Sequence, residues 1–158
     1  MLFRSDAVVG QSLGGALALA AAATGAAART AVAINSPQPD PDAVDGLEWR
    51  LSHGHTTVDS VLADGEVGYS SIPLTAVLEM TRGLVATDLS EVIVPTLLVQ
   101  GLDDDVVDPA GVDALAASLG SVPAPGPLVV RLAGTGHVAT MSPSVDDIAS
   151  SIARLIGA

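Results

Sequence analysis

Gly10-Gln11-Ser12-Leu13-Gly14-Gly15 is the segment that most restricts the folds open to this chain, because a short apolar run gives way there to a long helix-forming one. Ala7-Val8-Val9 reads as a short buried strand. Leu13 to Ala23 is almost entirely Ala, Leu and Gly, and Gly25 follows as a natural helix stop. A G-x-S-x-G turn between strand and helix holds its serine on a tight bend with the hydroxyl projected outward. Glycines on both sides let strand and helix approach without Cβ clashes. A glycine-rich turn with an incidental serine fits the six letters equally well; the strand before them and the helix after them favour the elbow.

Two downstream segments add to it. Thr96-Leu97-Leu98-Val99-Gln100-Gly101 is an apolar strand that opens after Pro95 and runs into the acidic loop Asp103-Asp104-Asp105. Leu128-Val129-Val130-Arg131-Leu132 is another, and its following loop, Ala133-Gly134-Thr135-Gly136-His137, carries a histidine. A serine, a carboxylate and a histidine therefore each follow a strand, in the chain order Ser, Asp, His.

With those residues in view, the chain resembles the C-terminal part of an α/β-hydrolase, most of all bacterial carboxylesterases and monoacylglycerol-lipase-like enzymes. Their corresponding segments read G-x-S-x-G-G, then P-T-x-x-x-x-G-x-x-D-x-x-V, then G-H-V-x-T. The resemblance implies Ser12 as nucleophile, His137 as general base and Asp104 as the acid that orients it, since the acid is the third residue after the strand-terminal glycine. A serine hydroxyl is a poor nucleophile at neutral pH, so the imidazole must take its proton during attack on an ester carbonyl and pass it to the departing alcohol. The backbone N–H of Leu13, at the positive end of the helix, is the implied oxyanion donor.

Length marks the departure from the family. Its domains run to roughly 200–250 residues, whereas the elbow strand, ordinarily the fifth, lies here within the first ten. The expected fold is a truncated α/β-hydrolase: a mostly parallel sheet of strands five to eight, helices on both faces and a helical cap insertion. The loop that carries the second oxyanion donor in the family is then missing, and the isolated chain is expected to turn esters over slowly or not at all. The elbow strand becomes a bare sheet edge through which copies of the chain would associate. Met1-Leu2-Phe3-Arg4-Ser5, with the only Phe, reads either as a foreign scar or as the natural start of a shortened gene.

About sixty residues separate Ile34 from Pro95, where a βαβ crossover needs only about a dozen. The expected organisation is a core of residues 1–36 and 89–158 and a cap of residues 37–88. Pro37, Pro39 and Pro41 mark the exit from the sheet, and Leu74, Val77, Leu78 and Leu84 suit amphipathic cap helices. Trp49 and Tyr69 are either pocket lining or ordinary cap packing. His53-Gly54-His55 reads as a loop rather than a metal pair, because the chain has three histidines and no cysteine. The acidic run at Asp103–Asp108 lacks the glycine and glutamate of a calcium loop. No metal and no cofactor is expected.

The core must be thin: 49% of residues are hydrophobic but only 2% aromatic, so Ala, Val and Leu build it. A net charge of −12 argues against nucleic acid and anionic membranes as partners, leaving a small ester or lipid substrate. The Ala-rich helix is too short for a membrane span, and the cytoplasm is the default location. Further helices are expected from Asp108-Pro109 to Leu119 and from Ser142, as N-cap, to Ile156. The second of these would bury Val145, Ile148, Ile152 and Leu155. The alternatives to a carboxylic-ester hydrolase are a non-catalytic fragment, or an acyltransferase or perhydrolase using the same three side chains.

Overall fold

Period-two alternation in two apolar strands organises the core. The computed structural model describes residues 5–25, 28–60, 67–120 and 126–157; residues 1–4, on which the reading of the chain's start rests, lie outside them. In chain order the elements are β1 (Ser5–Gln11), α1 (Leu13–Ala23), β2 (Ala28–Ile34), α2 (Pro41–Ser52), β3 (Thr57–Asp59), β4 (Ser71–Pro73) and α3 (Leu74–Ala86). They continue with β5 (Thr96–Gly101), α4 (Gly111–Ser118), β6 (Leu128–Leu132) and α5 (Val145–Ile156). The chain divides into two compact units, Met1–Gln38 with Asp88–Ala158, and Pro39–Thr87.

The first unit holds a parallel sheet in the order β1-β2-β5-β6. Among the described residues β1 and β6 are its edges, and β2 and β5 are covered on both faces. Ala31, Ala33 and Leu98 point to a cluster with Leu19, Ala22, Val112 and Leu115, which places α1 and α4 on that face. Val32, Ile34, Leu97 and Val99 point the other way, to Ala139 and Ile148, which places α5 there. Leu97, Leu98 and Val99 are each 1% exposed, and full burial of such a side chain contributes about 1.5–3 kcal/mol. Alanines on β2 face alanines on α1, and this small-on-small packing is how a core nearly free of aromatics closes.

Both C-terminal helices begin later than the sequence indicates. Asp108 Oδ1 accepts the Ala110 N–H at 2.9 Å and its carbonyl accepts the Gly111 N–H at 3.0 Å, so a closed turn precedes α4. Ser142 does not cap α5. Its hydroxyl donates to Ala139 O at 2.7 Å and accepts the Ser144 N–H at 3.2 Å, which leaves Pro143 in a turn outside the helix. Val145 is 41% exposed rather than buried, because the stripe facing the sheet starts at Ile148.

In the second unit, Asp40 caps α2 by accepting the Asp42 and Ala43 N–H groups at 3.0 and 3.2 Å. On α3, Leu74 and Leu78 are buried, and Arg82 bridges Glu79 and, on α2, Glu48. An antiparallel ribbon, β3 with β4, was not evident from the sequence. Trp49 and Tyr69 are 58% and 84% exposed, and neither lines the concavity formed by Val44, Asp45, Arg82 and Val85. No helix among the described residues is long and apolar enough to cross a membrane.

The β1–α1 junction depends on glycine, though not on both glycines of the motif. A Cβ at Gly10 would overlap the Gly14 carbonyl, and one at Gly15 would lie 2.9 Å from Ser36 Cβ. At Gly14 a Cβ would meet nothing within 4 Å, so the tight contact falls on Gly15, one residue beyond the motif. Gly10→Ala should therefore lower stability by about 1–3 kcal/mol. Gly14→Ala should be neutral or stabilising by up to about 1 kcal/mol, as a helical Gly→Ala change in open space is. Urea midpoints check both, and equal losses at the two positions would contradict the packing described.

Candidate active site

Each strand of a parallel sheet ends on the same edge, and the three residues singled out by the sequence follow the C-terminal ends of β1, β5 and β6. Ser12 directly follows β1 with φ 56° and ψ −128°, a left-handed backbone that a serine rarely adopts. Its N–H donates to Ile34 O at 2.8 Å, and its carbonyl accepts the Gly15 N–H at 2.9 Å, so the turn is fastened on both sides. Leu13 opens α1, and its N–H belongs to the first four helical amides, which have no intrahelical acceptor.

Asp104 follows β5. Asp103 and Asp105 are exposed, whereas the Asp104 side chain has no accessible surface. Its Oδ1 accepts the N–H groups of Val106 and Val107, each at 2.9 Å, which fixes the carboxylate plane. The Gln100 amide reaches Oδ2 at 3.4 Å from the end of β5. Five residues beyond β6, His137 places Nδ1 at 3.0 Å from both Asp104 oxygens and Nε2 at 2.8 Å from Ser12 Oγ. With Nδ1 protonated towards the carboxylate, Nε2 is left as the acceptor for the serine hydroxyl. The structure thus brings Ser12, His137 and Asp104 into one hydrogen-bonded line, a geometry that can draw a proton from a hydroxyl as it attacks an electrophilic carbon.

Three amide side chains around this line escaped the sequence reading. Gln11 ends β1 and its Oε1 accepts the Thr140 N–H at 3.1 Å, tying the elbow to the turn after His137. Gln100 is the last residue but one of β5 and is 2% exposed. Asn35 follows β2, is fully buried and has φ 46°. Their shared signal is a carboxamide terminating an apolar strand on the edge where Ser, Asp and His gather. The acid loop and the histidine loop also touch directly, with the Asp103 N–H donating to Thr135 O at 3.1 Å. A Cβ at Gly101 would overlap that same carbonyl.

His53 stacks on Trp49, with ring centroids 4.1 Å apart. Among the described residues, no three His, Asp or Glu side chains converge as ligands for a metal.

No family model matches the chain, and no curated protein matches its sequence. Solved structures do. The structure reported for LipS and LipT, two metagenome-derived lipolytic enzymes, superposes with a TM-score of 0.78 at 23% identity, over 96% of this chain and 65% of that one. Paleococcus ferrophilus monoacylglycerol lipase gives 0.70 at 17% identity, over 98% and 69%. E-2-(Acetamidomethylene)succinate hydrolase gives 0.60 at 24% identity, over 96% and 66%. The chain spans less than two thirds of the LipS and LipT structure's length, and at these identities the likeness speaks for architecture alone. The four-stranded parallel sheet with helices on both faces is part of the α/β-hydrolase fold, spanning about 65% of the LipS and LipT structure.

Proposed function

We propose that this chain is a serine hydrolase of carboxylic esters, of the carboxylesterase or monoacylglycerol-lipase kind, working through Ser12, His137 and Asp104. One observation carries the reading: the unbroken hydrogen-bonded path from Ser12 Oγ through the His137 ring to the solvent-inaccessible carboxylate of Asp104. The lipolytic enzymes and the monoacylglycerol lipase that share the fold support the choice of esters.

In this mechanism Ser12 Oγ adds to the ester carbonyl while its proton passes to His137 Nε2. Asp104 keeps the Nδ1 proton in place and stabilises the imidazolium that forms. Negative charge builds on the carbonyl oxygen, and the Leu13 N–H, at the positive end of α1, faces it. Collapse breaks the bond to the alcohol oxygen, which takes the proton from Nε2. Water then releases the acid from the acyl-serine by the same proton route. The insertion at residues 37–88 corresponds to the cap that the resemblance to carboxylesterases implies.

A fluorophosphonate probe should label the native chain at Ser12, located by peptide mass. Ser12→Ala should abolish labelling without altering the circular dichroism spectrum, and native-rate labelling of that variant contradicts the proposal. A native chain that labels at Ser12 yet turns esters over slowly is the outcome expected with Leu13 as the one oxyanion donor, whereas a folded native chain that resists the probe is the outcome belonging to a non-catalytic protein. Asp104→Asn should slow labelling by about four orders of magnitude, since it favours the wrong imidazole tautomer. Asp103→Asn and Asp105→Asn should stay within about threefold of native, as exposed charges outside the hydrogen-bonded line do. Equal losses at all three positions remove Asp104 from its assigned role.

A further inference from the structure

We propose that Asn35 is the positioning residue of the site, setting the His137 main chain against the strand end that carries Asp104; the inference rests on the serine-hydrolase reading. Its carboxamide contacts both loops at once. Nδ2 donates to Gly136 O at 2.9 Å and to His137 O at 2.7 Å, while Oδ1 accepts the Gly101 N–H at 2.7 Å. Gly101 is the last residue of β5, three before Asp104, and His137 carries the ring that joins Ser12 to Asp104. A single planar group therefore spans the loop of the acid and the loop of the base.

The same stretch of chain also holds the nucleophile. Ile34 O accepts the Ser12 N–H at 2.8 Å, and the Asn35 N–H donates to Val99 O at 2.8 Å. Ser36 lies against Gly15, where a Cβ would come within 2.9 Å of it. Ile34, Asn35 and Ser36 thus touch the elbow, the acid strand and the histidine loop, and Asn35 reaches two of the three through its side chain.

Chemistry explains the residue type. The position needs two N–H donors on one side and an acceptor on the other, in a plane and out of reach of solvent; a carboxamide supplies both. It also needs a left-handed backbone, which Asn tolerates better than other non-glycine residues do. A carboxylate there would set an anion against two carbonyl oxygens. Glycine would satisfy the backbone and remove the amide, so Asn35→Gly separates the two demands.

Displacing a catalytic group by about 1 Å can cost about a hundredfold in rate. Asn35→Gly should therefore slow fluorophosphonate labelling of Ser12 by about ten- to a hundredfold. In the chain labelled with ¹⁵N-histidine it should also lose the low-field His137 Nδ1–H proton signal that the hydrogen bond to Asp104 protects from exchange. Leu115→Ala, a core substitution in α4, is the control for lost stability alone, and should keep that signal and label within about threefold of native. If Asn35→Gly does not fold cooperatively, Asn35→Asp, which keeps the side-chain size and the acceptor for Gly101, decides by the same two readouts. Retention of both the Nδ1–H signal and the native labelling rate in the folded Asn35 variant overturns the proposal, as does their equal loss in Leu115→Ala. A native chain that the probe does not label overturns the hydrolase reading instead, while the Nδ1–H signal, present in native and absent in the variant, still upholds Asn35 as the residue that positions His137.

Discussion

Parallel pairing makes every strand of a sheet end on one edge, and everything assigned to this site follows from that constraint. Register fixes Gln11 beside Ile34, Ile34 beside Val99, and Gly101 beside Leu132. The residues that come next in each segment, Ser12, Asn35, Leu102 and Ala133, are consequently neighbours along one rim. The pairing is secured by strands buried on both faces, since every residue of β5 is buried. Helices α1 and α4 return the chain to the opposite edge between β1 and β2 and between β5 and β6, and loops of a few residues then suffice to bring a hydroxyl, a carboxylate and an imidazole together.

Two strained backbones sit on that rim. Ser12 and Asn35 both have positive φ without being glycine, at a cost of about 1–3 kcal/mol each. Each is held by hydrogen bonds that a relaxed conformation would break: Ser12 by its N–H to Ile34 O, Asn35 by three bonds through its side chain. The strain aims the Ser12 hydroxyl at His137, and the close approach of α1 over Gly10 and Gly15 keeps it aimed. Rigid packing beneath a site of this kind spares the side chains from ordering when a substrate arrives.

Much of this was legible in the sequence because it is local. A strand of Val and Ala, a G-x-S-x-G turn and an Ala-rich helix specify the elbow within twenty residues. The apolar runs before Asp104 and His137 mark the other two strands just as directly. Details set by contact between distant segments were not legible. Spacing within the motif gave Gly14 the tight contact, but the chain that passes closest, at Ser36, meets Gly15. A local competition also went unread: propensity placed Ser142 at the start of α5, whereas its hydroxyl closes the turn before the helix by donating to Ala139 O and accepting the Ser144 N–H. Asn35 looked like an ordinary polar strand end, because its side-chain partners lie 66 to 102 residues away.

The most direct test is a crystal structure of this chain after reaction with an alkyl phosphonate ester, whose phosphorus imitates the tetrahedral carbon of ester cleavage. The account predicts a covalent bond from phosphorus to Ser12 Oγ, a phosphoryl oxygen within about 3 Å of the Leu13 N–H, and His137 still held by Asp104 through Nδ1. An adduct on another residue, or a phosphoryl oxygen turned away from Leu13, would contradict it.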